Sequence, residues 1–442
     1  MTTTYLDIGA VRVQSYLGRW PSLAGRRAGS ALLQQHLSAD SPGLQHQLQG
    51  RARKNTDAGT VDSVLSVTVE DGVNPEVLAR DLLTFLRLAL PAAELTAVWA
   101  SAPDYVAAFP LMQQKVRNGH AVESVPVDSG FPLLKRCDLC RIDAAVTTVR
   151  LPEGEASACA DCALRADAPR ESPSELRLRS ESGRATASTF EALSALGADR
   201  KKNHVAHVLA DGNGFGQFFA ALARSGLPKD AVSAALHDAA FEALLQAESM
   251  LALDQPPLSR VLPHLVGGDD LFVTVPASDG WAFVRTYLDE FDRLVAEAVR
   301  AAGPTLPIPT ASAAIVIAHR AWPVNSAIDL AEALLRRAKN HGGGVRSTIA
   351  WLEVTRRGAD PDAGFMPIGL DELEEWYPHL GPLAELAPSS RHRLESLLAD
   401  DTVGHLDARR SATRMGIDRI AYPPVASWRL AAALDISRWW RP

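Results

Sequence analysis

The chain has 442 residues, 47% of them hydrophobic and 22% charged, with a formal net charge of -7. That length is too great for one hydrophobic core and predicts roughly two to four domains, while the acidic balance excludes a general attraction to nucleic acid or anionic lipid and leaves any polyanion site to a local patch. The amino terminus, MTTTYLDIGAVRVQ, has neither a basic start nor an apolar segment with a cleavage site, and no apolar run reaches the ~20 residues of a membrane span; a cytoplasmic protein without a membrane partner is expected.

In chain order, TYLDIGAVRVQSYL reads as a strand, AGSALLQQHL as a helix, SVLSVTVED as a strand, NPEVLARDLLTFLRLAL as a helix and ELTAVWAS as a strand. Short β-branched runs alternating with helical periods predict an α/β sandwich. All four cysteines follow in one window, where Cys137, Cys140, Cys159 and Cys162 form C-x2-C-x18-C-x2-C. Two thiolate pairs on two tight knuckles can close a tetrahedron around zinc; two disulfides, which a reducing compartment disfavours, or redox chemistry are the alternatives. A closed four-sulfur site leaves no position for substrate, so its role would be to brace the fold. After it, APRESPSELRLRSESGR, residues 168 to 184, is polar and contains two prolines and a glycine, and reads as a linker, with a solvated helix as the alternative.

From about residue 185 the alternation resumes: a helix in TFEALSALG, the strand HVAHVLAD, a turn GNGFG, the helix QFFAALARSG and a second helix, KDAVSAALHDAAFEALLQAESML. HLVGGDDLFVTV then reads as a hairpin in which Gly267 and Gly268 supply the positive backbone angles of the turn. Beyond it lie the helix WAFVRTYLDEFDRLVAEAVRAAG, the strand TASAAIVIAH, the helix NSAIDLAEALLRRAKNH, the break GGGVR, the strand STIAWLEVT and a mostly helical tail. Two α/β units thus flank a cysteine insert; the repeat is architectural, without a sequence period.

Adjacent carboxylates at a hairpin tip repel, and turn geometry gives no reason for Asp269 beside Asp270. Asp211 ends the apolar strand HVAHVLA, and Gly212, Asn213 and Gly214 follow it at a helix start, where backbone amides can hold a phosphate. If that strand lies beside the hairpin, Asp211, Asp269 and Asp270 converge and offer hard oxygen ligands to magnesium or manganese. Such ions would lower the cost of forming a 3′-alkoxide, orient it towards an α-phosphate and stabilise departing pyrophosphate. Lys339, near a helix end, reads either as a partner of the helix dipole or as a phosphate contact. His237 and Asp238 form an HD pair of the kind metal phosphohydrolases use, but one inside a long helix with no second histidine and carboxylate set nearby, so His237 reads as a surface or core histidine.

These residues together resemble the large, polymerase/cyclase-like subunit of type III CRISPR effector complexes. GGDD on a hairpin, Asp211 before Gly-Asn-Gly, the segment TASAAIVIAHRAWPVNSAIDLAEALLRRAK and the four-cysteine ribbon between two α/β units carry the likeness. VQSYLGRWPSLAGRRAGSALL adds to it through Gln14, Ser15, Gly29 and Ser30, similar to the family's first-palm segment. The resemblance implies an α/β (α+β) fold: a first ferredoxin-like palm over 1–110, a zinc-ribbon insert and linker over 111–184, a second, GGDD-bearing palm over 185–358 and a helical carboxy-terminal domain over 359–442. It implies a nucleotidyltransferase that converts ATP or another nucleoside triphosphate to cyclic or linear oligonucleotides with release of pyrophosphate. Asp211, Asp269 and Asp270 would hold Mg²⁺ or Mn²⁺, the four cysteines structural Zn²⁺, and Gly212, Asn213, Gly214, Gly267, Gly268 and Lys339 the nucleotide. RNA and other effector subunits are the further partners implied. The chain departs from the family in its shortness and in lacking the amino-terminal HD nuclease segment, so DNA cleavage is not expected. Diguanylate cyclases, which also carry a GG-acidic-acidic hairpin, have Phe where this chain has Leu271 and lack a ribbon between paired palms; an idle palm scaffold would leave the repelling carboxylates without a purpose.

Overall fold

The computed structural model describes residues 2–58, 64–126, 133–152, 154–197, 203–225, 229–251, 258–303, 305–399 and 404–441. The first unit contains β1 (Thr3–Val11), α1 (Val13–Gly18), α2 (Leu23–His36), α3 (Pro42–Leu48), β2 (Ala52–Lys54), β3 (Val64–Val69), α4 (Pro75–Ala89), β4 (Glu94–Ala102), α5 (Tyr105–Arg117) and β5 (Val122–Ser124). Its strands lie in the order β2-β3-β1-β4-β5, every neighbouring pair antiparallel. Alternation sets the two faces. Leu6, Ile8, Leu65 and Val67 pack on Leu78, Leu82 and Leu86 of α4, whereas Tyr5, Val98 and Ala100 face Tyr105, Ala108 and Met112 of α5. α4 starts where it does because Pro75 occupies its first turn and the side-chain Oδ1 of Asn74 accepts from the Glu76 and Val77 amides.

Three sequence expectations are corrected here. VQSYLG is helical, not strand: β1 ends at Val11, and Arg12, left-handed at φ 51, turns the chain into α1. The first unit continues past residue 110, which falls inside α5, because β5 adds a fifth strand too short to show a period. The expected linker at 168–184 holds a capped helix over Pro173–Ser182.

The insert carries β6 (Thr147–Leu151), β7 (Gly154–Ala158) and α6 (Ala160–Asp167), followed by α7 (Pro173–Ser182) and α8 (Phe190–Ala195). α7 has a capping box: Ser172 Oγ accepts from the Glu175 amide, and Glu175 Oε2 accepts from the Ser172 amide; Pro173 begins it and Gly183, at φ 71, ends it. The proline and glycine that suggest a break are its start and stop.

The second unit contains β8 (His204–Asn213), α9 (Phe215–Arg224), α10 (Lys229–Leu251), β9 (Leu262–Gly267), β10 (Asp270–Pro276), α11 (Gly280–Ala302), β11 (Thr310–His319), α12 (Val324–His341), β12 (Thr348–Glu353) and the short α13 (Val354–Arg357). Its strand order, with β13 (Ile368–Gly369) at the edge, is β13-β12-β11-β8-β10-β9. β9-β10-β8-β11 repeats β2-β3-β1-β4 of the first unit, with the same strand-helix-strand-strand-helix-strand path, so both are ferredoxin-like palms. The tail comprises α14 (Leu370–Ala384), α15 (Pro388–Leu398), α16 (Gly404–Arg414), α17 (Asp418–Ala421) and α18 (Leu430–Ser437). It shares a core with the second palm: Trp376, Leu380 and Leu434 belong to the same cluster as Trp281, Tyr287 and Phe291. Trp351 Nε1 donates to Asp435 and Trp439 Nε1 to Glu353, both at 2.9 Å, across that junction. Among the described residues no helix is long and apolar enough to cross a membrane.

α2 joins the units. The Arg27 guanidinium is paired with Glu175, which is fully buried, and donates to the Ala187 carbonyl at 2.9 Å. Arg165, fully buried on α6 and ion-paired with Asp161 at 2.9 Å, donates to the carbonyls of Tyr16 (2.7 Å) and Gly25 (3.1 Å). Gly29 lacks a Cβ where Arg165 passes: one built there would lie 2.8 Å from Nη1.

Candidate active site

The hairpin is set by its turn. Gly267 pairs with Asp270 as the last rung of β9 and β10, leaving Gly268 and Asp269 as the two turn residues. Gly268 has φ 60 while Asp269 is not left-handed, the pattern of a II′ turn. Gly267 therefore does not supply a positive φ, contrary to the sequence expectation; it ends a strand. The β8–β10 register, which pairs Leu271 with Ala210, brings Asp270 beside Asp211. Gly212 lets the turn close down on β8: a Cβ there would overlap the Phe215 ring and lie 2.6 Å from Asp269 Oδ2. Gly214, at φ 75, then swings the chain into α9.

Asp211, Asp269 and Asp270 thus meet at one end of the second sheet. Burial, then the neighbouring Asp211 and Asp269 charges, push the Asp270 carboxyl up to about 7, although its own surface faces an open cleft. Burial and Asp211 raise Asp269 as well. Beneath them the buried Tyr287 hydroxyl has no hydrogen-bond partner among the described residues, and burial followed by Asp270 and Asp269 keeps it protonated. Lys339 Nζ donates to Asp211 Oδ2 at 2.6 Å and to the Gly212 carbonyl at 2.8 Å. It is therefore tied to the acidic cluster rather than only to the end of its own helix. Asn213 differs from its neighbours: its amide is buried and donates to Thr310, Ser312 and the Arg346 carbonyl at 2.9–3.1 Å, so its side chain braces β8 and β11 and is turned away from the cleft.

Hard carboxylate oxygens that repel one another, one of them without a hydrogen-bond donor among its stabilising contacts, are the donor set a divalent cation relieves. They fit Mg²⁺ or Mn²⁺ in chemistry. Their spacing is open, however: among the described residues the cysteine quartet is the one His/Cys/Asp/Glu group whose ligand atoms all lie within 4.8 Å of one another.

The cleft above the carboxylates has two lobes, and the first palm walls both. One, of about 530 Å³, is largely apolar, with Val11, Tyr105 and Phe109 facing Phe215 and Phe219 across the hairpin. The other, of about 630 Å³, is lined by Arg12, Gln14 and Ser15 from the first palm and by Asp211, Arg336 and Lys339 from the second. Asp270 borders both lobes. Arg336 could have been found by spacing, since it precedes Lys339 by three residues on α12 and shares its face. Arg12 carries no such signal, because its place depends on an αL turn at the end of β1.

The cysteines form the second candidate centre. All four are buried and free, with Cys140 and Cys159 Sγ 3.8 Å apart. Amide donors from Ile142 to Cys140 and from Cys162 to Cys159, both at 3.4 Å, are the backbone contacts of thiolate knuckles. Hydrogen bonds from Cys159 and Cys162 hold the Cys140 thiol well below its ordinary value. The geometry fits tetrahedral zinc and not two disulfides. His237 lies on α10, its side chain outside what the structure describes; Asp238 pairs with Arg177 at the surface.

Residues 204–350 match the family model of the second palm domain of Cas10/Cmr2. No curated protein matches the chain. Among solved structures it is similar to Csm1 of T. onnurineus, with 13% identity, a TM-score of 0.56, and coverage of 98% of this chain and 69% of that one. It is similar to a Csm1-Csm4 cassette in complex with cA4 (13%, 0.51, 97% and 65%) and to one in complex with pppApA (12%, 0.54, 99% and 69%). The chain thus spans about two thirds of the length of the structures it matches. At these identities the likeness establishes the fold.

Proposed function

We propose that this chain, Cas10-like through its second palm domain, is a metal-dependent nucleotidyltransferase that joins nucleoside triphosphates, with ATP as the substrate, into cyclic or linear oligonucleotides and releases pyrophosphate. The observation that carries this reading is the meeting of Asp211, Asp269 and Asp270 beneath a two-lobed cleft walled by both palms. Two lobes either side of Asp270 suit two nucleotides, one presenting a 3′-hydroxyl and the other an α-phosphate. The cA4 and pppApA held by the Csm1-Csm4 relatives are products and intermediates of that chemical kind. By the same likeness, a Csm4-type subunit and RNA are proposed as partners in antiviral defence.

The chain's own residues divide the work. Asp211, Asp269 and Asp270 would hold Mg²⁺ or Mn²⁺, which when bound supplies Lewis acidity to the hydroxyl and the phosphates. Lys339 and Arg336 bring positive charge to the triphosphate side, and Lys339 can exchange its contact with Asp211 for one with phosphate. Gly212 keeps the hairpin tight against β8, and the aromatic lobe offers one of the nucleotides an apolar wall.

Replacing Asp269 and Asp270 by Asn keeps their shape and removes the charge that holds cations. Pyrophosphate release and product formation, followed by mass spectrometry with each nucleoside triphosphate and with and without RNA, should fall at least about a hundredfold, with the fold intact and the melting temperature equal or higher. Equal product from wild type and variant would remove these residues from the mechanism. No product from the wild type would favour the scaffold reading, and product from GTP alone a diguanylate-cyclase-like enzyme.

A further inference from the structure

Arg26, on α2, is 2% exposed, yet among the described residues no carboxylate faces it. Its guanidinium lies over the Phe272 ring at 5.1 Å, next to His264, which stacks on the same ring, and His207. Among the described residues Nε and Nη1 have no hydrogen-bond partner, and Nη2 donates to Gln14 Oε1 at 3.0 Å. An unpaired buried cation is costly, and the one polar contact it makes is to a side chain that lines the cleft. A guanidinium can only donate, so the oxygen of the Gln14 carboxamide must face it, and the amide nitrogen is left as the free end.

We infer that Arg26 is a positioning residue and Gln14 a specificity-determining one: the guanidinium holds the Gln14 carbonyl so that the carboxamide N–H₂ faces the cleft and donates to an acceptor atom on the nucleoside part of a bound nucleotide. This rests on reading the cleft as a nucleotide site. The nucleoside rather than the phosphate is the partner because Arg12, Arg336 and Lys339 line the same lobe and offer cationic groups to a phosphate, to which a neutral amide adds little. Gln14 thereby tests for a hydrogen-bond acceptor, and a ligand without one leaves a half-buried donor unsatisfied.

The full chain separates this role from a structural one, because stability and affinity should move apart. Gln14→Glu gives Arg26 a counterion and removes the donor, so melting temperature should rise while ATP binding, measured by calorimetry with Mg²⁺, weakens about tenfold. Gln14→Met should weaken ATP to a similar degree and leave tripolyphosphate binding unchanged. Arg26→Met, which removes a buried unpaired charge, should keep or raise the melting temperature and still weaken ATP, and Arg26→Lys, which can donate to the same carbonyl, should recover most of the affinity. If ATP affinity instead follows melting temperature through the four variants, or if Gln14→Met loses tripolyphosphate as much as ATP, the inference is wrong. A wild type that binds no ATP overturns it too. Gln14-dependent ATP binding without any product overturns only the transferase reading.

Discussion

Gly212 and Gly216 stand four residues apart and are alike in sequence but opposite in consequence. A Cβ at Gly212 would push against Asp269 and Phe215, whereas one at Gly216 meets nothing within 4 Å among the described residues. Gly212→Ala should cost about 1–3 kcal/mol of stability and disturb the acidic cluster, so product formation falls with the melting temperature; Gly216→Ala, in α9, should be neutral or slightly stabilising in both. The sequence marks the glycine turn after Asp211, but only the fold reveals that one of its glycines is a slot for the distant hairpin. His207 and His264 offer a second test. Both are buried, both share the Thr274 hydroxyl, at 2.9 and 2.7 Å, and burial, then the Arg26 charge, depresses both, His207 to about 3. Their folded values lie below the unfolded value of about 6.5, so the stability they contribute is present above that pH and is lost as pH falls below it, for His207 down to about 3, at up to about 1.4 kcal/mol per pH unit for each. Denaturant unfolding between pH 7 and 5 should show this decline, and His207→Gln with His264→Gln should flatten it.

At the scale of elements, legibility followed length. The long strands and helices carry their period openly, from β8 and β10 to α11, and both units and the cysteine insert could be read from them. β5 and β13 are too short for a period, and α7 was obscured because its proline, serine and glycine are read as breakers when they are caps. The helix also hides Glu175, whose value lies in a partner, Arg27, far away in sequence. The ribbon likewise has a structural consequence that spacing does not show. α6 carries Cys162 at one turn and Arg165 at the next, and Arg165 grips the carbonyls of Tyr16 and Leu17 in α1, the helix that presents Gln14 and Ser15 to the cleft. Metal analysis should find about one zinc per chain. Stripping it with a chelator under reducing conditions should lower the melting temperature and weaken ATP binding together. Arg165→Met should reproduce the loss of binding with zinc still present, and should cost roughly 3–5 kcal/mol because Asp161 is left buried and unpaired. Full ATP affinity in the zinc-free protein would show that α1 does not depend on the ribbon.

For the whole molecule, the two palms repeat one strand order, but among the described residues the paired aspartates belong to the second alone, and the first contributes a wall in which Asp7 is the one carboxylate lining the cleft. The sequence displayed both units; it could not display their mutual placement, which rests on contacts such as that between α1 and α12. There Asn325 Nδ2 donates to the Gly18 carbonyl at 2.5 Å, and a Cβ on Gly18 would come within 2.8 Å of Asn325 Oδ1. If the first palm completes the active site, small changes at this contact should alter catalysis without touching an aspartate. Gly18→Ala should displace the Asn325 amide, cost about 1–3 kcal/mol and slow product formation roughly tenfold by shifting the wall over the reacting nucleotides. Asn325→Ala loses one hydrogen bond, about 1 kcal/mol, but makes room, and so should be the milder variant. The double variant should be faster than Gly18→Ala alone, because the methyl group then has space. Initial rates of pyrophosphate release for the four proteins give the coupling. A Gly18→Ala protein as fast as wild type, or a double variant no better than the product of the single effects, would mean that the second palm works without the register of the first.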